Sequence, residues 1–462
     1  MELEITKTNI PGLLVVDMPV HQDDRGWFKE NWQREKMVAL GLPDFSPVQN
    51  NISFNADRGT TRGIHAEPWD KYVAVASGKV FGAWVDLRAG ESFGQVFCTE
   101  IGPEKAVFVP RGVGNAFQAL LPATSYVYLV NGHWSEKDKY VAVNLRDESL
   151  GIEWPIGLDE AILSEKDARH PYLKEVAPMA PRKMVIVGAK GQLGQALRLK
   201  YPEAVGVDRE ELDITSWDAV REFDWNDVGV IINAAAWTNV DGAETAEGRE
   251  MAWKINVRGV ENLAKIATLR GLTLVHISSD YVFDGTRANH AEDELFSPLS
   301  VYGATKAAGD AVVSMLPKHY ICRTSWLIGG GKNFVRTMYE LGKNGKSPSV
   351  VGDQRGRLSF VGELVRAIDH LLTSGAEYGV YNVSNSGAVK SWAEVAEEIF
   401  TASGFEQDVV KITTEEYLRG KEGVAVRPSN SAFNLDKLRA TRFVSTDWEV
   451  ELREYIKKEL MP

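Results

Sequence analysis

The pattern of apolar residues changes once along this 462-residue chain, near residue 180, and that change limits the folds open to it. Before it, apolar runs are short and often alternate, at 80–87, 106–109, 126–130 and 140–145, with Gly, Pro and Asn between them. Alternation with a period of two buries one face of a strand, so this half reads as an all-β sandwich or barrel. After it, short apolar runs alternate with stretches of helical period: 184–187 then 193–199, 228–232 then 244–263, 272–277 then 302–315. That is the βαβ rhythm of a parallel sheet with helices on both faces. The join holds Pro178 and Pro181, and residues 177–182 are expected to be a linker between domains at 1–176 and 183–462. Residues beyond about 375, with Tyr381 and Asn382, are expected to build the substrate lobe, and 446–460 to be helical.

Composition narrows the function classes. A net charge of -12 argues against a nucleic-acid-binding surface. The two cysteines, Cys98 and Cys322, are far apart and without metal-type spacing, so neither a disulfide framework nor a metal site is expected. No apolar run reaches the ~18 residues of a membrane span, and the first twenty residues lack the basic and long apolar segments of a signal peptide. The expected location is the cytoplasm.

In the second half, Gly188, Gly191 and Gly194 follow a buried-strand run and open a helical one, with Lys190, Gln192 and Leu193 among them. Glycines let the backbone approach a pyrophosphate, and a helix N-terminus offers it free N–H groups. The Gly-x-x-Gly-x-x-Gly spacing is that of short-chain or extended dehydrogenases, so NADPH or NADH is the expected cofactor. Asp208 ends the next strand and suits ribose hydroxyls, whereas Arg209 beside it suits a 2′-phosphate. Asp213, Ile214 and the small residues Ala234, Ala235 and Ala236 suit the same cofactor site. The run 272–277 is followed by Ser278, Ser279 and Asp280, where a strand of a parallel sheet would end and ligands bind. Tyr302 and Lys306 stand at i, i+4, so a helix puts them on one face. An ammonium beside a phenol favours the phenolate and eases proton transfer to or from a carbonyl oxygen. Ser279, Tyr302 and Lys306 therefore form the proton half of a hydride-transfer site.

This half is similar to dTDP-4-dehydrorhamnose reductase over almost all its length. The resemblance rests on Gly188-x-x-Gly191-Gln192-Leu193-Gly194, on Asn233 to Glu244, on Ser278-Ser279-Asp280-Tyr281-Val282-Phe283-Asp284-Gly285, on Tyr302-Gly303-x-Thr305-Lys306, and on Arg323-Thr324-Ser325-Trp326. It implies that Tyr302 donates a proton to a 4-keto oxygen and that Lys306 lowers the tyrosine pKa and binds the nicotinamide ribose. It implies too that Ser279, Asp280 and Trp326 hold the sugar. Gly356-Arg357-Leu358-Ser359 and Trp237 depart from the family pattern on the substrate side.

The first half carries polar clusters at Asp23 to Glu30, Gln49 to Asn51, Arg62 to His65 with Lys71 beyond, and Ser164 to Asp167. Arg25 and Arg62 suit phosphate oxygens, which a guanidinium meets with two parallel hydrogen bonds. In this order the clusters, with Val85-Asp86-Leu87-Arg88 and Pro110-Arg111-Gly112, resemble the dTDP-4-dehydrorhamnose 3,5-epimerase family. The resemblance implies a metal-free, cupin-like jelly roll, commonly a homodimer. It implies His65 as general base, Asp167 orienting it, and Lys71 stabilising an enolate. Arg25, Glu30, Gln49, Asn51, Arg62 and Lys166 would hold the sugar nucleotide. Three positions depart from the pattern: Trp134 where a general-acid tyrosine is expected, Asn115 for a histidine, and Ala66 for an aromatic. Tyr126, Tyr128 and Tyr140 are the phenols nearby.

The expected fold is thus an all-β jelly roll followed by a Rossmann domain of extended short-chain dehydrogenase type. The expected activity is 3,5-epimerisation of a dTDP-4-keto-6-deoxy sugar and reduction of its ketone. The alternatives are a reductase with a non-catalytic first domain, or a non-catalytic regulatory Rossmann protein.

Overall fold

A computed structural model describes residues 2–134 and 140–461. They fall into two compact units, Met1–Pro181 and Arg182–Pro462. The first is a cupin-like jelly roll and the second a Rossmann-type α/β domain, as the two periodicities require.

The jelly roll packs two antiparallel sheets face to face. One runs in the order Glu4–Lys7, Leu14–Asp17, Lys105–Val109, Lys71–Ser77, Thr124–Val130, Gln49–Asn55. The other runs Val141–Ala142, Thr61–Ala66, Val113–Ala119, Val80–Asp86, Val96–Ile101. Val73, Val75, Trp84, Val107, Val113 and Phe117 fill the space between them. Each such side chain, fully buried, contributes about 1.5–3 kcal/mol relative to exposure. The strand Val113–Ala119 is buried along its whole length although it carries Asn115 and Gln118. Both are satisfied: Gln118 Nε2 donates to Thr61 Oγ1 and to the Ile156 carbonyl, and Asn115 Oδ1 accepts from Tyr126 Oη at 3.0 Å. Gly63 must be glycine, because its φ is +123° and an added Cβ would stand 2.6 Å from Ala116 Cβ.

The second unit is built on a six-stranded parallel sheet. Its order is Val205–Val207, Lys183–Val187, Val228–Asn233, Thr273–Ser279, His319–Thr324, Gly379–Asn382. The second strand in the chain lies on one side of the first and the third on the other. That reversal opens a crevice at the carboxyl ends of Lys183–Val187 and Val228–Asn233, where open parallel sheets bind ligands. A separate core holds Ile328, Val335, Phe360, Ala396, Phe400 and Trp448, from elements outside the sheet.

Two boundaries differ from the sequence reading. The 177–182 segment is not a free linker as far as Pro181: the Met179 N–H donates to Leu87 O, and its carbonyl accepts from Ala89 N. Met179 is buried in the jelly roll, so apolar docking overrides the two prolines. Tyr381 and Asn382, expected in the lobe, form the sixth strand of the sheet. The helical tail is present as Trp448–Tyr455 and the turn Ile456–Leu460. Among the described residues, no helix is long and apolar enough to cross a membrane.

Candidate active sites

The crevice of the second domain is a cavity of about 650 Å³. Gly188, Gly191, Gln192, Leu193, Gly194, Asp208, Asp213, Ile214, Ala234, Ala235 and Ala236 line it, together with Ser279, Asp280, Tyr302, Lys306 and Trp326. The helix Gln192–Lys200 begins at the turn, so its first N–H groups face the crevice. Close packing demands the glycines: Gly188 has φ +80°, and a Cβ on it would lie 2.7 Å from Ala235 N. A Cβ on Gly194 would lie 2.1 Å from Gly188 O. This cradle fits a dinucleotide pyrophosphate, which needs bare backbone at a helix start. Lys190 is the exception among the expected cofactor residues. Its N–H donates to Asp208 Oδ2 at 2.8 Å, but its side chain leaves the cavity to pair with Glu210 at 2.6 Å.

The polar end of the cavity is built by one strand and one helix. Ser279 closes the strand Thr273–Ser279, and its Oγ donates to Asp280 Oδ1 at 2.9 Å. The helix Val301–Val313 is capped by Ser300, whose Oγ accepts from Gly303 N at 3.1 Å. Tyr302 stands in its first turn and Lys306 in the second. The Tyr302 phenol and the Ser279 hydroxyl line the same end of the cavity. Lys306 Nζ donates to Ile277 O at 2.6 Å. Asn256, in the π-turn Lys254–Gly259, braces this helix: its Nδ2 donates to Thr305 Oγ1 at 3.0 Å and its Oδ1 accepts from Trp237 N at 2.8 Å.

Burial dominates the electrostatics here. It raises the Asp280 carboxyl to about 6 against the Ser431 and Ser279 hydrogen bonds that lower it. It lowers the Lys306 ammonium to about 8 against the opposing charge of Asp310. Asp310 is wholly buried and takes Arg323 Nε at 3.0 Å. Burial pushes the Tyr302 phenol above its ordinary value, against the Ser279 hydroxyl that lowers it. A phenol kept protonated is a ready acid, which suits proton donation to a developing alkoxide.

In the jelly roll, His65 lies on Thr61–Ala66 of one sheet, and Lys71 and Tyr128 lie on neighbouring strands of the other. His65 Nε2 is 2.9 Å from Asp167 Oδ1. Burial pushes the Asp167 carboxyl up, but the His65 hydrogen bond, the His65 charge and the Gly63 N–H outweigh it and hold the group below its usual range. Asp167 sits in the short helix Glu165–Ala168, capped by Ser164. Lys71 is buried, pairs with Glu67, and lies 5.7 Å from the centre of the Tyr128 ring. Burial and Glu67 raise the Tyr128 phenol, and Arg62 opposes them. Glu67 thus links Lys71 and Tyr128, and Asn51 stands opposite Tyr128 in the strand register.

Comparison with known proteins bears on both units. Residues 182–461 match the RmlD substrate binding domain family, and residues 7–175 match the dTDP-4-dehydrorhamnose 3,5-epimerase family. The chain belongs to the RmlD family. It also carries an epimerase-family domain in front. A dTDP-4-dehydrorhamnose reductase of Aggregatibacter actinomycetemcomitans is 36% identical over 294 residues, 59% of this chain and 97% of that protein. A protein described as an RmlC homolog, from Streptococcus pyogenes serotype M6, is 53% identical over 180 residues, 37% of this chain and 90% of that protein. The crystal structure of dTDP-4-dehydrorhamnose reductase from Bacillus anthracis, in complex with NADP, is 37% identical and superposes with a TM-score of 0.56. It covers 60% of this chain and 99% of its own.

Within this RmlD-family fusion, several expected substrate residues of the first domain engage other groups. Arg25 is exposed and pairs with Asp23, and Glu30 pairs with Lys36 at 2.6 Å. Lys166 is exposed on its short helix. Gln49 Nε2 donates to Asn51 Oδ1 at 2.8 Å, and Arg62 Nε donates to Asn55 Oδ1 at 3.1 Å. The three candidate phenols separate. Tyr126 is buried and spends its hydroxyl on Asn115. Tyr140 packs edge-on to Trp69 at 5.6 Å. Tyr128 has Lys71 5.7 Å from its ring centre, and Arg62 acts on its phenol. Trp134 is 67% exposed. Glu67, His170 and Asn256 join the two sites without having been expected from the sequence. Glu67 lies four residues before Lys71, a spacing that could have suggested the pair; the others carry no local signal.

Proposed function

We propose that this chain carries out two consecutive steps of dTDP-L-rhamnose formation. The first domain epimerises dTDP-4-dehydro-6-deoxy-D-glucose at C3 and C5. The second reduces the remaining 4-ketone with NADPH or NADH. The observation that carries this reading is the meeting of Ser279, Tyr302 and Lys306 with the glycine cradle in one cavity.

In the second domain, the bound nicotinamide supplies a hydride to C4. Gly188, Gly191 and Gly194 would hold its pyrophosphate at the helix start, and Ala234, Ala235 and Ala236 would leave room for the adenosine side. Tyr302 gives its proton to the C4 oxygen, Ser279 shares that oxygen, and Lys306 stays cationic beside them and holds the nicotinamide ribose. Asp280 and Trp326 orient the sugar. Lys306 is charged below about 8, so the reduction rate should fall as pH rises through that value, roughly tenfold per pH unit at the limit. A kcat profile flat from pH 7 to about 10 would remove the charged lysine from the rate.

Arg209 lines the cavity beside Asp208 and suits a 2′-phosphate. Arg209→Ala should raise KM for NADPH about tenfold, the effect of ~1.5 kcal/mol from a charge-assisted hydrogen bond, and leave KM for NADH nearly unchanged. Equal changes for both cofactors would exclude that role.

In the first domain, His65 removes the protons beside the 4-ketone, Asp167 orients it, and Lys71 stabilises the enolate oxygen. Tyr128 returns the proton on the opposite side. Its place near Lys71 and Arg62 supports this over Tyr126, whose hydroxyl is engaged. Arg25, Glu30, Gln49, Asn51, Arg62 and Lys166 would bind the sugar nucleotide; Arg25 and Glu30 would have to leave their present ion pairs.

The edge strand Gln49–Asn55 bears exposed Ile52 and Phe54, 68% and 62% accessible, on a sheet edge with free backbone groups. This supports a homodimer through the first domain. Ile52→Lys with Phe54→Lys should convert a dimer to a monomer in light scattering; an unchanged mass would exclude this edge.

Each half has its own test. Solvent-deuterium uptake at C3 and C5 without nicotinamide reads the first. Oxidation of NAD(P)H on the ready-epimerised 4-ketone reads the second. Failure of either removes that half of the proposal.

A further inference from the structure

The described residues contain one trio of potential metal ligands, His65, Asp167 and His170, whose ligand atoms all lie within 4.8 Å of one another. His65 Nε2 and His170 Nε2 lie 2.9 Å and 3.9 Å from Asp167 Oδ1. A tetrahedral zinc ion with bonds of ~2.0–2.2 Å spaces its ligand atoms about 3.4 Å apart. The two distances bracket that spacing, and small imidazole rotations would close it. The trio is largely built: the Asp167 and His170 side chains are 7% and 9% exposed, and His170 Nδ1 is buried without a partner. His65, at 40%, leaves an entry path. The epimerisation described above gives His170 no task.

We propose that His65, Asp167 and His170 form a binding site for a borderline divalent metal such as zinc, and that the metal switches the epimerase base off. This rests on the reading of His65 as that base. A neutral imidazole carries one N–H and one lone pair. Without metal, the Asp167 carboxylate accepts the Nε2–H of His65, so the lone pair is on Nδ1 and can take a proton from the sugar. A metal takes the Nε2 lone pair instead. The ring proton then resides on Nδ1, which can no longer accept one. The metal also draws on the Asp167 charge that would stabilise the imidazolium. The cavity of the second domain contains no such trio among the described residues, so the reduction step should be spared.

The test uses the full chain. Cobalt(II) is titrated and followed by its visible absorption, and zinc is titrated against deuterium uptake and, separately, against NADPH oxidation on the ready-epimerised ketone. Expected are one cobalt per chain at this site, zinc inhibition of deuterium uptake reversed by EDTA, and reduction unchanged. His170→Gln should raise the zinc needed for half-inhibition at least tenfold. His170→Cys should keep the site and add a thiolate-to-cobalt absorption band. Wild-type cobalt affinity in His170→Gln, no new band in a folded His170→Cys, or parallel inhibition of both activities would overturn the proposal. Cobalt binding without any deuterium uptake would instead point to failure of the base assignment.

Discussion

Replacing Tyr302 with phenylalanine should lower the rate of ketone reduction by about 10²–10⁴-fold, the usual contribution of a positioned general acid. The ring is half-buried in the cavity wall and meets Tyr281 edge-on at 5.5 Å, so phenylalanine keeps the packing and removes only the hydroxyl. What is lost is the proton delivered as negative charge grows on the C4 oxygen, so the effect should fall on kcat and leave KM for the cofactor nearly unchanged. Burial holds the phenol protonated, which makes it a donor over the whole neutral range. Deuterium uptake by the first domain should not change. A Tyr302→Phe chain that reduced the ketone within threefold of the wild-type rate would mean that another group gives the proton.

His65→Asn should lower deuterium uptake at both C3 and C5 by a similar ~10²–10⁴-fold. Asparagine can still donate from its amide to Asp167, so the buried carboxylate keeps a partner and the fold should survive. It cannot accept a proton. Loss of uptake at one carbon alone would show that two different bases serve the two centres; unchanged uptake at both would exclude His65. The reduction step, given the ready-epimerised ketone, should proceed normally in this variant.

The Rossmann site was largely legible in the sequence because its chemistry is encoded locally. Glycines at three-residue spacing, a strand ending in Ser278-Ser279-Asp280, and a tyrosine and lysine one turn apart each imply their own geometry. Strand order then gathers them at the switch point. Lys190 shows the limit of that logic, since an exposed lysine follows the nearest carboxylate and Glu210 was not visible as a neighbour. The rise of the Tyr302 pKa was also hidden, because desolvation depends on everything packed around the ring. The jelly-roll pocket was harder still. Selecting Tyr128 among three phenols needs the register that sets it opposite Asn51 and Val73, and a one-residue slip would turn it to the other face. His170 follows Asp167 closely in sequence but gains meaning only where the helix end folds back beside His65, ring centres 5.2 Å apart.

A single reaction decides whether one chain performs both steps. Purified full-length protein is mixed with dTDP-4-dehydro-6-deoxy-D-glucose and NADPH, with no other enzyme, and the product is identified by NMR. The expected product is dTDP-L-rhamnose, with inverted configuration at C3 and C5 and a reduced C4. No product, with rhamnose appearing only after a separate epimerase is added, would contradict it and leave the first domain without its catalytic role.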